Sequence, residues 1–122
     1  MQTYCRGIRG ATTVDSNTKE AILAATSELL QKMVKDNVVV KDQIACVYFT
    51  TTADVNAAFP AQAARRLGWS EVALLCGHEM NVPGSMAKCI RILMMVNTNK
   101  KLQDIVHVYI NGTESLRSDT ES

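Results

Sequence analysis

The sequence is poor in aromatic residues and carries almost no net charge. Aromatic side chains make up 5% of its 122 residues, and 13 basic residues are balanced by 12 acidic ones, for a formal net charge of +1. Proteins that bind single-stranded nucleic acid stack bases on aromatic rings, and those that bind duplexes or anionic membranes present an excess of basic residues. The composition therefore argues against nucleic-acid and membrane partners.

The sequence also lacks a membrane span, a signal peptide and a metal-binding cysteine motif. The apolar stretch 90–96 is far too short to cross a bilayer and is interrupted by Arg91. The first six residues include a charge where a signal peptide needs an apolar region. The four cysteines are widely spaced, without a C-x-x-C pair. We therefore expect reduced thiols in a cytoplasmic protein, and neither a disulfide framework nor a zinc site.

What is present is the composition of one globular domain. Hydrophobic residues make up 47% of the chain and charged residues 20%, and 122 residues can bury one core but not two. We expect a single domain over residues 1–122. Its polar end, residues 111–122, is expected to form a partly mobile tail.

Hydrophobic periodicity predicts one long helix and five strands. Apolar residues recur at helical spacing between positions 22 and 34, behind a capping pattern formed by Asn17 and Glu20, and Asn37 is a plausible stop. Runs rich in β-branched and aromatic residues predict strands. The predicted strands are 4–14, 44–50, 72–76, 88–97 and 105–110.

A second, shorter helix is predicted between Pro60 and Gly68, because proline favours the first turn of a helix and glycine the position after its end. The elements together predict an α+β fold, a five-stranded mixed sheet with one long and one short helix. Such helices cover little more than one face of the sheet. The other face, including the methionine-rich strand 88–97, must be buried elsewhere, which predicts an oligomer whose sheets pack together.

A thiol, a carboxylate and a guanidinium surround a predicted turn at Pro83. These groups belong to Cys76, Glu79 and Arg91. An arginine in an apolar run is costly to desolvate unless a carboxylate or an anionic ligand meets it. Glu79 and Arg91 therefore form either a structural ion pair or part of a small polar pocket.

A second candidate arginine, Arg9, lies in the first predicted strand between Gly7 and Gly10. Glycines inside a strand indicate close approach of another backbone or of a ligand. Because side chains alternate along a strand, Arg9 and Ile8 point in opposite directions. Arg9 either faces a cavity while Ile8 packs in the core, or lies on the surface of an edge strand.

Histidine and cysteine residues offer a rival interpretation as a thiol or metal enzyme. Cys76 and His78 lie close in sequence, and Cys89 and His107 are elsewhere, but they lack the spacing of metal ligands. We expect no metal site, a packed core position for His107 and an exposed loop position for His78.

Several residue groups occur in an order that is specific in combination. They are Arg6-Gly7-Ile8-Arg9-Gly10-Ala11-Thr12-Thr13, Phe59-Pro60-Ala61, Gly68-Trp69, Cys76 with Glu79-Met80, Lys88-Cys89-Ile90-Arg91, and His107-Val108-Tyr109 followed by Leu116-Arg117. In this order, from about residue 4 to residue 117, the chain resembles the monofunctional, trimeric chorismate mutases with the pseudo-α/β-barrel fold.

The resemblance implies an isomerase that converts chorismate to prephenate in aromatic amino-acid biosynthesis, the shikimate-derived route to Phe and Tyr. The reaction is an intramolecular Claisen rearrangement that needs no cofactor and no metal. The resemblance also implies a homotrimer, a trimeric pseudo-α/β barrel with its sites in clefts between subunits.

The resemblance further implies roles for individual residues. Arg9 and Tyr109 would bind a substrate carboxylate, and Arg91 would donate to the ether oxygen and a carboxylate. Glu79 and Cys76 would contact the ring hydroxyl and its surroundings.

Other residues are implied to complete the cleft. The adjacent subunit would supply Phe59, Ala61 and Arg65, and a C-terminal segment with Leu116 and Arg117 would order over the ligand. Leu75 replaces a small hydroxyl residue that often backs the site, and Gln62 stands where a basic residue is expected at the rim.

The alternative is a RidA-like trimeric domain that binds small carboxylates or acts as an imine deaminase. Such domains share a similar architecture and also bind carboxylates between subunits through an arginine, so the fold alone does not separate the two. Glu79 and Arg91 together with Arg9 suit the two carboxylates and the hydroxyl of chorismate, which favours the mutase.

Overall fold

A computed structural model describes residues 2–117 of the chain. The strands and helices follow one another as β1 (Tyr4–Thr13), α1 (Lys19–Asn37), β2 (Ile44–Thr51), α2 (Ala61–Arg66), β3 (Ala73–His78), β4 (Cys89–Thr98) and β5 (Val108–Tyr109). None of the helices in this described part is long and apolar enough to cross a membrane. This element order confirms the five strands, one long helix and one short helix that the sequence predicts.

The five strands form one mixed sheet in the order β3-β2-β4-β1-β5. The central strand β4 runs antiparallel to both β1 and β2, whereas the outer strands β3 and β5 run parallel to their inner neighbours. Because β1 lies between β4 and β5, the alternative that Arg9 belongs to an edge strand is wrong.

The last strand is much shorter than predicted, because only Val108 and Tyr109 pair with β1. His107 does not continue the ladder with its backbone. Its ring atom Nδ1 accepts the Arg9 N–H at 2.9 Å. The expectation that His107 packs in the core is wrong, since the residue is exposed. His78 is exposed as expected, but it ends β3 and does not lie in a loop.

Both helices pack on the same face of the sheet. Leu29, Leu30 and Met33 of α1 are fully buried against the sheet, and Ala64 of α2 belongs to the same core cluster. At Gly10 a Cβ atom would lie 2.5 Å from Met33 Sδ. The glycine predicted to allow close approach therefore admits side chains of α1.

We expect Gly10→Ala to destabilise the fold by about 1–3 kcal/mol, because the added methyl group overpacks the contact with α1. Urea unfolding would measure the loss. Adding Met33→Leu to that variant removes the sulfur atom that the methyl group meets and should restore part of the stability. A Gly10→Ala protein as stable as the parent would show that α1 shifts at no cost.

The start of α1 differs by one residue from the prediction. Thr18 caps the helix, accepting the Ala21 N–H at 3.2 Å, and the predicted cap Asn17 lies outside it. Asn17 Oδ1 instead accepts the backbone N–H groups of Asn56 and Ala57 at 2.9 and 3.0 Å. Asn17 thus fixes the loop that leads to Phe59.

The face of the sheet opposite the helices is apolar and exposed. Tyr48 pairs with Leu75 on one side and with Leu93 on the other, so the three side chains form a row. They are 47%, 54% and 39% exposed, respectively. We call this surface the open face, defined by Tyr48, Leu75 and Leu93.

Candidate active site

Four of the residues singled out from the sequence line one cavity on the open face. The cavity measures about 410 Å³. Its lining includes the predicted Arg9, Glu79, Arg91 and Tyr109, together with Gly10, Tyr48, Thr50, Ile92 and Leu93. Strand alternation explains the grouping, since residues at every second position of adjacent strands share one face of a sheet. This volume falls in the usual range for small-molecule sites.

Glu79 and Arg91 face each other inside this cavity as a loose ion pair. Glu79 Oε1 lies 3.7 Å from Arg91 Nε, which is beyond hydrogen-bond distance. The two side chains are 24% and 27% exposed, and the buried Nε atom has no hydrogen-bond partner within residues 2–117. A structural ion pair would satisfy that donor, so the geometry favours the polar-pocket interpretation.

Arg9 and Tyr109 form the other polar side of the cavity. Arg9 Cζ lies 5.8 Å from the centre of the Tyr109 ring, within the range of a cation–π contact. Ile8 is fully buried beneath the helices, whereas Arg9 is exposed on the open face. The cavity alternative for Arg9 is therefore the one that the structure supports.

Thr52 and Asp54 hold the beginning of β4, two residues before Arg91. Asp54 Oδ2 accepts the Lys88 N–H at 3.0 Å, and Thr52 Oγ1 accepts the Cys89 N–H at 3.0 Å. Lys88 has a positive φ of 52°, a conformation that non-glycine residues rarely adopt. The hydrogen bonds to Asp54 and Thr52 stabilise this conformation of Lys88. A Thr-x-Asp pattern after a strand is typical of side-chain-stabilised turns, but the contacts of Thr52 and Asp54 with the distant start of β4 were not predicted.

The contacts of Asp54 with Thr52 and Lys88 predict a pH-dependent contribution to stability. The Thr52 hydroxyl, which donates to Asp54 Oδ1 at 2.5 Å, lowers the pKa of the Asp54 carboxyl, and the Lys88 N–H adds to the effect. A carboxyl with a lowered folded-state pKa stabilises the fold above its unfolded pKa of about 4, and the contribution is lost as the pH falls through the folded value.

We therefore expect Asp54→Ala to melt at a lower temperature than the parent at pH 7. The difference between the two proteins should shrink steadily as the pH is lowered below about 4. Thermal unfolding from pH 7 to pH 3 measures it. A difference that stays constant over this range would mean that the Asp54 charge does not contribute.

Cys76 lines a second cavity, of about 450 Å³, together with Phe59 and His78. It alternates with Leu75 along β3 and packs against the core under the helices, while Leu75 points to the open face. Within one chain, the structure thus does not bring Cys76 into the cavity that Glu79 lines. It places Cys76 beside Phe59, which is 73% exposed.

Three further expected site residues line neither of these two cavities within one chain. Ala61 is only 3% exposed and packs in the core of its own chain, and its expected role in the cleft of a neighbouring subunit stays a prediction. Arg65 is exposed on α2. Leu116 is 8% exposed and packs against Ala11 and Cys89. The side chain of Arg117 and all of residues 118–122 lie outside the described residues.

Cys89 is an unsuitable nucleophile in this structure. The side chain is 1% exposed, and burial raises the pKa of its thiol, which therefore stays protonated at neutral pH. In residues 2–117, no three His, Cys, Asp or Glu side chains come together as possible metal ligands.

Comparison with known proteins identifies the family. The family model described as chorismate mutase type I matches residues 5–120. This chain belongs to the chorismate mutase type I family. The chain is 47% identical to the chorismate mutase AroH of Thermus thermophilus over 118 residues, covering 96% of this chain and 97% of that protein. It is 43% identical to the AroH of Bacillus subtilis strain 168 over 115 residues, covering 93% and 91%.

A solved structure supports the same conclusion. A chorismate mutase from Clostridium thermocellum is 51% identical and superposes with a TM-score of 0.89, covering 90% of this chain and 98% of that one. The protein is thus an isomerase with chorismate mutase activity, which acts on chorismate in the pathway to aromatic amino acids. The RidA-like alternative is not favoured.

Proposed function

We propose that the cavity lined by Arg9, Glu79, Arg91 and Tyr109 is where chorismate rearranges to prephenate. The observation that carries the proposal is the buried Arg91 Nε, which has no hydrogen-bond partner within residues 2–117 although its side chain lines the cavity. A donor in that position suits an anionic or electron-rich ligand atom.

The charges of the cavity fit the substrate. Chorismate carries two carboxylates and a ring hydroxyl, and planar guanidinium groups bind carboxylates through paired hydrogen bonds. Arg9 and the Tyr109 hydroxyl would hold one carboxylate. Glu79 can accept a hydrogen bond from the ring hydroxyl, since Oε1 is held 3.7 Å from Arg91 Nε.

The chemistry needs neither a nucleophile nor proton transfer. One C–C bond forms as the C–O bond of the ether breaks, and negative charge grows on the ether oxygen. The Arg91 guanidinium would stabilise that charge more in the transition state than in the ground state, which is the condition for faster chemistry.

The stabilisation available in this cavity is large enough to account for catalysis. An acceleration of ~10⁶ requires roughly 8 kcal/mol, and one well-placed donor supplies about 3–4 kcal/mol. Holding the substrate side chain in the reactive chair supplies the remainder, because a correctly oriented intramolecular reaction gains rate from pre-organisation. Neither a cofactor nor a metal enters this scheme.

We propose a homotrimer in which the open face is buried between subunits. The exposed row of Tyr48, Leu75 and Leu93 supports an assembly. Since Phe59 and Cys76 share a cavity in one chain, both would reach the active site from the same neighbouring subunit. Arg65, exposed on the helix that follows Phe59, would come with them.

The C-terminal turn Glu114–Arg117 would border the substrate. Leu116 belongs to a cluster that also contains Tyr109, so this turn lies beside the cavity. The Thr113 hydroxyl donates to Ala11 O at 3.1 Å, which anchors the segment to β1. Leu116 and Arg117 are thus proposed as substrate-contacting residues. The predicted partial mobility of the tail stays a prediction.

We also propose a cytoplasmic location. All four cysteines are unpaired, as expected in a reducing compartment. Cell fractionation with an antibody against the native protein would test the location.

The activity is tested by incubating the purified protein with chorismate in the presence of a chelator, without added cofactor, and identifying the product. We expect prephenate. Binding without turnover would instead favour a carboxylate-binding domain. Light scattering on the same sample should give three times the 13.4 kDa chain mass.

The shared site is tested by subunit mixing. Arg91→Ala and Phe59→Ala subunits, each weakly active alone, are unfolded and refolded together. If each site combines Arg91 of one subunit with Phe59 of another, mixed trimers contain some sites that are intact, and activity rises. If a single subunit supplies both residues, every site stays defective and activity does not rise.

A further inference from the structure

Thr50 occupies a position between the two charged groups of the cavity. It lies directly opposite Arg91 in the pairing of β2 with β4. Its hydroxyl donates a hydrogen bond to Glu79 Oε2, and the residue itself lines the cavity. Nothing in the sequence motifs discussed above assigns it a role.

The separation of Glu79 and Arg91 needs an explanation. Carboxylates and guanidinium groups that meet without constraint form paired hydrogen bonds of about 2.7–2.9 Å. Here Glu79 Oε1 and Arg91 Nε stay 3.7 Å apart, although the pair is largely buried and the Nε atom lacks another partner in the described chain. A third group must hold the carboxylate back.

The contacts of Glu79 identify that group. Its backbone N–H donates to Thr51 O at 2.8 Å, which fixes the main chain beside β2. Its side-chain oxygen Oε2 accepts the hydroxyl of Thr50. Two consecutive residues of β2 therefore determine where the carboxylate lies.

We infer that Thr50 is a positioning residue that holds Glu79 away from Arg91. The hydroxyl occupies one carboxylate oxygen, so that the Arg91 guanidinium remains available to the substrate and Oε1 remains an acceptor for it. This inference rests on the proposed function of the cavity. Without the hydroxyl, Glu79 closes on Arg91, and the substrate must compete with an internal ion pair.

Thr50→Val removes the hydroxyl and keeps the branched shape, whereas Thr50→Ser keeps the hydroxyl. We expect Thr50→Val to lower kcat about tenfold or more, with a smaller change in KM, because the contact of Arg91 strengthens in the transition state. Thr50→Ser should stay within about threefold of the parent. A Thr50→Val enzyme with an unchanged kcat would overturn the inference.

A double-mutant cycle separates positioning from a general effect on the fold. In the Glu79→Ala background there is no carboxylate to hold, so adding Thr50→Val should change the residual kcat less than twofold. A full tenfold effect in that background would overturn the inference as well. If Thr50→Val does not fold, as judged by its thermal transition, Thr50→Ala takes its place in both experiments.

The outcome is distinguishable from failure of the proposed site. If Arg91→Ala retains the parent kcat, the site assignment is wrong whatever Thr50 does. If Arg91→Ala is impaired and Thr50→Val is not, only the role of Thr50 is wrong.

Discussion

Arg91→Ala should lower kcat by at least about a hundredfold while the proposed trimer stays intact, because it removes the cation that we propose acts on the breaking bond. The side chain is 27% exposed and its Nε atom makes no hydrogen bond within residues 2–117. Steady-state kinetics with chorismate, combined with light scattering, would measure both effects.

Arg66→Ala is the matched control for this experiment. It removes the same side chain from an exposed position on α2, away from the cavity, and should leave kcat unchanged. Arg91→Lys keeps the charge but loses the planar fork, so we expect an intermediate kcat. An Arg91→Ala enzyme with near-parental kcat and an intact oligomer would contradict the assignment of Arg91 as the donor to the ether oxygen.

Arg9→Ala should lower kcat/KM by about ten- to a hundredfold, mainly through a higher KM. The substrate carboxylate keeps its charge throughout the reaction, so the proposed contact with Arg9 would act in both the ground state and the transition state. A lost hydrogen bond between charged groups accounts for a change of that size. Initial rates over a wide range of chorismate concentrations separate KM from kcat.

Arg6→Ala tests whether the effect depends on position. Arg6 lies three residues earlier on the same strand, but its guanidinium stacks on Tyr4, and its Nε donates to Lys100 O at 3.0 Å. Its removal should leave KM unchanged. Equal losses of kcat and kcat/KM in Arg9→Ala would place Arg9 among the contacts made only in the transition state.

The periodic segments were predicted well. Strand alternation in β1 correctly placed Arg9 and Ile8 on opposite faces, and the capping pattern located the start of α1 to within one residue. These features depend on the local geometry of the backbone, which a short window of sequence contains. Strand β4 was correctly predicted from its β-branched residues.

The predictions that were wrong or missing have a common cause, which is contact between residues distant in sequence. His107 was expected in the core, but its ring accepts the Arg9 N–H, 98 positions away in sequence. Asn17 was expected to cap α1 but contacts a loop 39 positions away. Tyr48 and Thr50 lie in β2, and their place in the cavity was not predicted. Each depends on a distant contact that no local pattern encodes.

The sequence by itself determined the order of the elements, the alternation of side chains within each strand and, through its ordered motifs, the family. Only the tertiary structure decided which polar side chains meet. It placed Arg9 with Arg91 on the open face, separated Cys76 from Glu79 within the chain, and set Thr50 against the carboxylate. The physical reason is that strand pairing and register create these contacts, and both depend on the packing of the whole sheet.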